Sequence, residues 1–207
     1  MRRVLASCAL LLVGCQAGPV GSTATYSPTN AVSTAASTPP ASIPMPTPSG
    51  HPYKGPVAGF GDSIMLGGAP CLEPLGYTID AVQGRSFGDG WAAMQSAGDL
   101  PKRVLIGLGT NGAFNEDEFD AVMAYLGHRQ VYWVNIHLPD EERYAWANAM
   151  NGVLDRRVAA YDNAHLINWD ILADQHPEWL YDDGTHLRPK TCAVYASVID
   201  AAVRAPR

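Results

Sequence analysis

The sequence predicts an α/β protein, a three-layer α/β/α sandwich around a mainly parallel, five-stranded sheet. Two observations favour this fold class. Apolar runs enriched in β-branched residues recur beyond the first quarter of the chain, and segments with helical character separate them. Strands that alternate with helices form parallel βαβ units. Function gathers at the carboxyl ends of the strands in such sheets, so we expect the functional residues there.

The predicted strands are, in chain order, Val57–Phe60, Thr78–Val82, Val104–Leu108, Val131–Leu138 and Leu166–Trp169. A helix opens at Asn115–Glu118, whose acidic residues suit its positive end, and continues with apolar residues at helical spacing. A second helix is predicted from about Glu141 to Ala160. A last one starts near Pro189, because proline is favoured at the first helical position.

The first quarter of the 207-residue chain is not typical of a folded domain. Arg2-Arg3 precede an apolar run, Val4–Gly14, that is too short to span a bilayer but suits an export signal. The run ends in Leu12-Val13-Gly14-Cys15, which resembles the lipobox of bacterial lipoproteins. We interpret residues 1–15 as a lipoprotein signal peptide with Cys15 as the lipidation site. An ordinary signal peptide with a chance cysteine is the alternative.

Residues 16–54 are mostly Ser, Thr, Ala, Pro and Gly, a composition that cannot bury enough apolar surface to order the chain. We predict a disordered linker there and one domain over residues 55–207. The protein is then expected to be exported and anchored by lipid to the bacterial cell envelope, on its periplasmic or extracellular face. Cys71 and Cys192 remain in the domain, and in an exported protein we expect them to form a disulfide rather than two separate thiols.

Charge and histidine spacing exclude two classes of function. The formal net charge is −6 and the basic residues are scattered, which argues against a nucleic-acid partner. His128, His165 and His176 show no metal-ligand spacing. We therefore predict no metal and no cofactor.

Ser63 is the candidate nucleophile. The apolar run of the first predicted strand ends abruptly in Gly61-Asp62-Ser63 and passes into a segment that can be helical. Ser63 would then lie where free N–H groups and the helix dipole favour developing negative charge. His186 is the candidate base, and either Asp182 or Asp183 could orient its ring across the Gly184 turn.

Four motifs follow the predicted strand ends or precede the last helix. They are Gly61-Asp62-Ser63, Gly84-Arg85, Gly109-Thr110-Asn111-Gly112 and Asp183-Gly184-Thr185-His186-Leu187. In this order they resemble the blocks of the SGNH (GDSL) hydrolase superfamily, and the resemblance covers essentially the whole domain. It implies the flavodoxin-like fold of that superfamily and a triad of Ser63, Asp183 and His186. Asp183 is favoured over Asp182 because the superfamily motif has its aspartate three residues before the histidine.

The resemblance also implies an oxyanion hole made by the Ser63 N–H, the Gly84 N–H and the Asn111 side-chain amide. The alternative is that Gly84 and Asn111 only form turns. Gly88 and Gly90 lie nearby and are alternative candidates for the glycine of the second motif.

A narrower resemblance is to the extracytoplasmic domain of membrane-bound acyltransferases that O-acetylate peptidoglycan or surface polysaccharide. It is carried by Gly61–Gly67, Leu108–Gly112, Val134–Pro139 and Trp179–Leu187, and by Asp80-Ala81 with Gly84-Arg85. The chain shows a predicted lipid anchor where that family has a multi-helix membrane domain. We therefore expect either an envelope esterase or a transferase fed by a separate membrane acyl-donor protein.

Ser63 is expected to attack an acyl ester, with acetyl as the favoured group, and to form an acyl-enzyme. The substrate would be an acylated carbohydrate or another small ester. Arg85 and His137 are candidate substrate-binding residues, His137 because it lies at the carboxyl end of the fourth predicted strand. The main hypothesis is an esterase acting on an envelope carbohydrate; the alternatives are an O-acetyltransferase and an inactive glycan-binding module.

Overall fold

The computed structural model describes residues 52–206. The predicted signal peptide with Cys15, and the predicted linker as far as residue 51, lie outside the described residues. Within them the contacts of the domain begin at Tyr53, whose N–H donates to the Arg204 carbonyl at 3.0 Å.

Five parallel strands form one sheet in the order β2-β1-β3-β4-β5. The strands are β1 (Val57–Gly61), β2 (Tyr77–Ala81), β3 (Arg103–Gly107), β4 (Gln130–Val134) and β5 (Ala164–Ile167). The helices are α1 (Ser63–Leu72), α2 (Phe87–Ser96), α3 (Glu116–Leu126), α4 (Trp146–Val158), α5 (Trp169–Gln175) and α6 (Cys192–Arg204). Short 3₁₀ turns lie at Glu73–Leu75, Glu142–Tyr144, Pro177–Trp179 and Pro189–Thr191. The predicted fold class is confirmed.

Apolar side chains pack on both faces of the sheet. One core joins the sheet to α2, α3 and α4 and is centred on Trp133 and Phe119, whose rings stack with centroids 4.5 Å apart. The other joins it to α1, α5 and α6 around Met65 and Tyr195. Because both faces are covered, the strands read as nearly continuous apolar runs, which is why the sequence reveals them.

The strand order places the functional loops side by side. From β1 the chain first adds β2 on one side and then adds β3 on the other, so the strand order reverses between β1 and β3. Open parallel sheets bind ligands beyond the carboxyl ends of the strands at such a reversal. Gly61, the last residue of β1, is in register with Ala81 of β2 and Gly107 of β3. The loops that follow these three strands therefore start from one edge of the sheet.

Two predicted strands end earlier than the sequence indicated. β4 ends at Val134 rather than Leu138, and β5 ends at Ile167 because Asn168 caps α5. The side-chain amide of Asn135 donates to the Asn168 side-chain oxygen at 2.9 Å, which ties the two strand ends together. Both predicted later helices also begin with a 3₁₀ turn before α4 and α6. α2 and α5 were not predicted.

A disulfide joins Cys71 near the end of α1 to Cys192 at the start of α6, with the two Cα atoms 5.8 Å apart. α1 begins at Ser63, and α6 follows the segment that contains His186. The bond closes a loop with a sequence separation of 121 residues. It therefore links the segment of the candidate nucleophile to the segment of the candidate base.

Reduction of this disulfide is expected to lower the free energy of unfolding by about 3–5 kcal/mol, because closing so long a loop removes much entropy from the unfolded chain. Urea unfolding of the wild-type domain with and without reductant measures the loss. The double variant Cys71→Ala, Cys192→Ala is the control, and reductant should not change its stability. A wild-type domain equally stable in both conditions would contradict the expectation.

Candidate active site

Ser63 is the first residue of α1, directly after the buried Asp62. The Asp62 side chain caps the helix by accepting a hydrogen bond from the Ile64 N–H at 3.0 Å. The N–H of Ser63 lies in the first turn, where N–H groups have no acceptor within the helix. The serine thus stands at the carboxyl end of β1 and the positive end of α1.

The structure brings Ser63, His186 and Asp183 into a hydrogen-bonded chain. His186 Nε2 lies 3.1 Å from Ser63 Oγ, and His186 Nδ1 lies 2.8 Å from Asp183 Oδ2. The second oxygen of Asp183 accepts hydrogen bonds from the backbone N–H groups of Thr185, at 2.9 Å, and His186, at 3.0 Å. Asp182, the alternative partner, instead pairs with Arg188 at 2.7 Å.

The hydrogen bonds at Asp183 favour its ionised form. Partial burial opposes ionisation, but the hydrogen bonds from the His186 backbone and ring and from the Thr185 N–H outweigh it and lower the pKa of Asp183. Because this folded-state pKa is lowered, the interaction stabilises the fold above the ordinary aspartate pKa. That contribution is lost as the pH falls through the folded value. Asp183 is therefore a carboxylate wherever histidine titrates, as an orienting acceptor must be.

Gly84 and Asn111 adjoin each other at the same edge of the sheet. Gly84 has a φ of +72° in a turn closed by the hydrogen bond from the Arg85 N–H to the Val82 carbonyl at 3.2 Å. The Asn111 side-chain amide donates to the Arg85 carbonyl at 3.2 Å, so the loop after β3 is tied to the loop after β2. Both loops flank the end of β1, where Ser63 follows.

Asn111→Ala is expected to lower kcat on p-nitrophenyl acetate by about 10²–10³-fold if the amide is an oxyanion donor. Asn163→Ala is the matched control, because Asn163 also donates to backbone carbonyls, those of Gly127 and Arg129, but does so away from the site. The control should alter thermal stability at most. A kcat unchanged by Asn111→Ala would remove Asn111 from the oxyanion hole and leave it a loop tether.

Asp62 has a role that the sequence reading missed. Its second oxygen accepts a hydrogen bond from the Thr110 N–H at 3.3 Å, so one carboxylate fixes both the start of α1 and the loop that carries Asn111. Burial raises the pKa of Asp62, although the hydrogen bonds from Ile64 and Thr110 oppose the rise. Its position just before the first helical residue, where aspartate is favoured, was the available signal.

The two predicted substrate-binding residues lie in different surroundings. Arg85 donates to the Asp80 carbonyl and side chain, both at 2.7 Å, and its side chain is only 9% exposed. This guanidinium therefore braces the end of β2. His137 pairs with Asp170 at 2.9 Å and lines a separate cavity beyond β4.

The candidate catalytic side chains open into a shallow cleft of about 520 Å³. Besides Ser63, His186 and Asp183, it is lined by Leu66, Gly67, Gln83, Tyr181 and Leu187. The exposed side chains of Leu66 and Tyr181 give the cleft an apolar rim.

In residues 52–206 no group of three or more His, Cys, Asp or Glu side chains is arranged to hold a metal ion. No helix in that range is both long and apolar enough to cross a membrane.

Known proteins are similar to this chain in sequence and in fold. No family model matches the chain. YrhL of Bacillus subtilis (strain 168), whose assigned name is that of a peptidoglycan O-acetyltransferase, is 30% identical over 153 residues, or 72% of this chain and 24% of YrhL. The chain spans about a quarter of the length of the curated relatives it matches.

Two solved structures have the same fold. The C-terminal catalytic domain of Streptococcus pneumoniae peptidoglycan O-acetyltransferase A, solved with a methylsulfonyl adduct, has a TM-score of 0.65 and 22% identity. That comparison covers 71% of this chain and 91% of the other. A GDSL-like lipase from Bacteroides thetaiotaomicron has a TM-score of 0.58 and 15% identity, over 71% of this chain and 86% of the other. The motifs assembled around Ser63, the sequence similarity to YrhL and the shared fold together support the resemblance of this chain to the SGNH (GDSL) hydrolase superfamily.

Proposed function

We propose that the protein is a serine esterase of the bacterial cell envelope that removes acetyl groups from an envelope carbohydrate through an acyl-enzyme. The observation that carries the proposal is the chain of contacts from Ser63 Oγ through His186 to Asp183. A glycan-binding module has no use for a serine within reach of an oriented base. An inactive module therefore explains this arrangement less well than an enzyme does.

The first half of the reaction forms the acyl-enzyme. Ser63 Oγ attacks the ester carbonyl carbon while His186 Nε2 takes the hydroxyl proton. The negative charge on the carbonyl oxygen is stabilised by the Ser63 N–H and, in this proposal, by Gly84 and Asn111. The bond from the acyl carbon to the sugar oxygen then breaks, and His186 gives its proton to the departing alcohol.

The second half returns the enzyme to its starting state. A hydroxyl group loses its proton to His186 and attacks the acyl carbon on Ser63, and the bond to Oγ breaks as Oγ recovers a proton from His186. Water as the attacking group gives a free acid, so the enzyme is an esterase. A glycan hydroxyl gives a new ester, so it is an acetyltransferase.

Transfer to a glycan is the second candidate function, and the names of YrhL and of the Streptococcus pneumoniae enzyme favour it. In that case the acyl group would come from a separate membrane acyl-donor protein, and peptidoglycan or a surface polysaccharide would accept it. Neither candidate function calls for a cofactor.

Anchoring through a lipid on Cys15 is part of the same proposal. Cys15→Ala should therefore move the protein from the membrane fraction to the soluble fraction. An unchanged distribution would contradict the anchor.

Hydrolysis of p-nitrophenyl acetate with and without a glycan acceptor separates the two functions. Release of p-nitrophenol that depends on Ser63 and is unaffected by acceptor supports the esterase. Faster release with acceptor, together with acetylated glycan among the products, supports the transferase. If wild type and Ser63→Ala release p-nitrophenol equally slowly, and a fluorophosphonate does not label Ser63, both functions are wrong.

A further inference from the structure

A second cavity, of about 480 Å³, opens at the same edge of the sheet as the catalytic cleft. Its walls come from the loop after β4, the start of α4, and α5. Pro139 in this wall packs on the turn that carries Asp183 and His186, so closely that a Cβ added to Gly184 would lie 3.0 Å from the proline Cγ. The cavity and the catalytic cleft are therefore neighbours, because Pro139 lines the first and contacts the turn whose Asp183 and His186 line the second.

His137 and Asp170 form the fixed polar part of the cavity. His137 Nδ1 lies 2.9 Å from Asp170 Oδ1, and the other oxygen of Asp170 accepts from the Asn151 side-chain amide at 3.2 Å. The Asp170 N–H donates to the Asn135 side chain at 2.9 Å. Because a carboxylate can only accept, the pairing places a proton on His137 Nδ1, and in the neutral ring Nε2 is then an acceptor. Within residues 52–206 no protein group binds this Nε2.

The rest of the cavity combines hydrogen-bonding groups with apolar surface. The side chains of Asp140 and Asp174 make no hydrogen bond or ion pair within the described part of the chain, and Asn148 lines the same cavity. No lysine or arginine is among the lining residues. The apolar surface comes from Leu138, Pro139, Tyr144 and Ile171.

A sugar ring matches this lining, because it donates through several hydroxyl groups and presents C–H groups to apolar and aromatic side chains. The volume lies in the range of about 300–1,000 Å³ typical of ligand pockets. An anionic ligand would meet the unpaired carboxylates of Asp140 and Asp174, with no lysine or arginine in the lining to bind it.

We propose that this cavity, the His137 subsite, binds a neighbouring sugar unit of a glycan whose esterified unit lies in the catalytic cleft. The inference rests on the proposed function and narrows it: the preferred substrate is an oligosaccharide ester rather than an ester of a single sugar. His137 and Asp174 determine this preference and take no part in the chemical step.

The test compares an O-acetylated chitotetraose with p-nitrophenyl acetate, which is too small to reach both sites. For His137→Gln and Asp174→Ala, the ratio of kcat/KM on the tetrasaccharide to kcat/KM on p-nitrophenyl acetate should fall about five- to tenfold, as expected for one lost hydrogen bond. Asp117→Ala on α3 is the matched control, because Asp117 is an exposed carboxylate outside the cavity. Its ratio should stay at the wild-type value. An unchanged ratio in both subsite variants would overturn the proposal.

A binding measurement separates failure of the subsite from failure of the proposed function. In the Ser63→Ala protein, unmodified chitotetraose should shift the NMR signals of the His137 ring and the Asn148 side-chain amide. These shifts in a protein whose wild type turns over no ester would support the subsite and reject the enzyme. Turnover of the glycan ester by the wild type, with no shift of either signal in Ser63→Ala, would support the enzyme and reject the subsite.

Discussion

Ser63→Ala should lower kcat on p-nitrophenyl acetate by about 10⁴-fold or more, the largest effect that we expect from any single substitution. The variant loses the proposed nucleophile, so no acyl-enzyme forms, and only His186 and the predicted oxyanion donors remain to assist water. Steady-state kinetics measures the loss. Circular dichroism should show an unchanged fold, because the one hydrogen bond of Ser63 Oγ among the described residues is to His186.

Ser197→Ala is the matched control for this substitution. Ser197 lies on α6, and its hydroxyl donates to the Val194 carbonyl at 2.8 Å, within the helix. Its kcat should stay within about twofold of the wild-type value, since surface substitutions of this kind have small effects. A Ser63→Ala protein that retains wild-type kcat would show that Ser63 is not the nucleophile.

Asp183→Asn should lower kcat by about 10⁴-fold while leaving the fold intact. The carboxylate accepts the Nδ1 proton of His186 and so presents Nε2 to Ser63 as the basic nitrogen. An asparagine amide can donate to Nδ1 instead, which places the ring proton on Nε2 and removes the base. The variant therefore tests orientation of the histidine rather than its presence.

Asp182→Asn is the matched control, because the two aspartates are neighbours with different partners. Asp182 is fully exposed and pairs with Arg188, an interaction that contributes little at a solvated surface. We expect this control to keep wild-type kcat on p-nitrophenyl acetate. Equal losses in the two variants would contradict the assignment of Asp183 as the orienting residue.

Much of this site follows from local sequence because its residues lie next to strand ends. The strand that leads to Gly61-Asp62-Ser63 is a buried apolar run, and Asp183 and His186 are close enough in sequence to bond across one turn. The superfamily resemblance added Gly84 and Asn111 as predicted oxyanion donors. The structure adds that Asn111 also tethers the loop after β2.

The rest depends on contacts between residues far apart in sequence. The helix α5 begins where a strand was predicted, because Asn135 bonds to Asn168 and to the Asp170 N–H across two strand ends. The same contacts position Asp170 beside His137 and create the cavity beyond β4. Their sequence separation of more than 30 residues leaves no periodic signal, so the prediction extended β4 through His137.

Trapping the acyl-enzyme tests the central claim most directly. The domain would be mixed with p-nitrophenyl acetate, quenched in acid within the first turnovers, and analysed by intact-protein mass spectrometry and peptide mapping. We predict one acetyl group, located on Ser63, and none on the Ser63→Ala protein treated identically. An acetyl group on a different side chain, or steady turnover by the wild type with Ser63 never acetylated, would contradict the account.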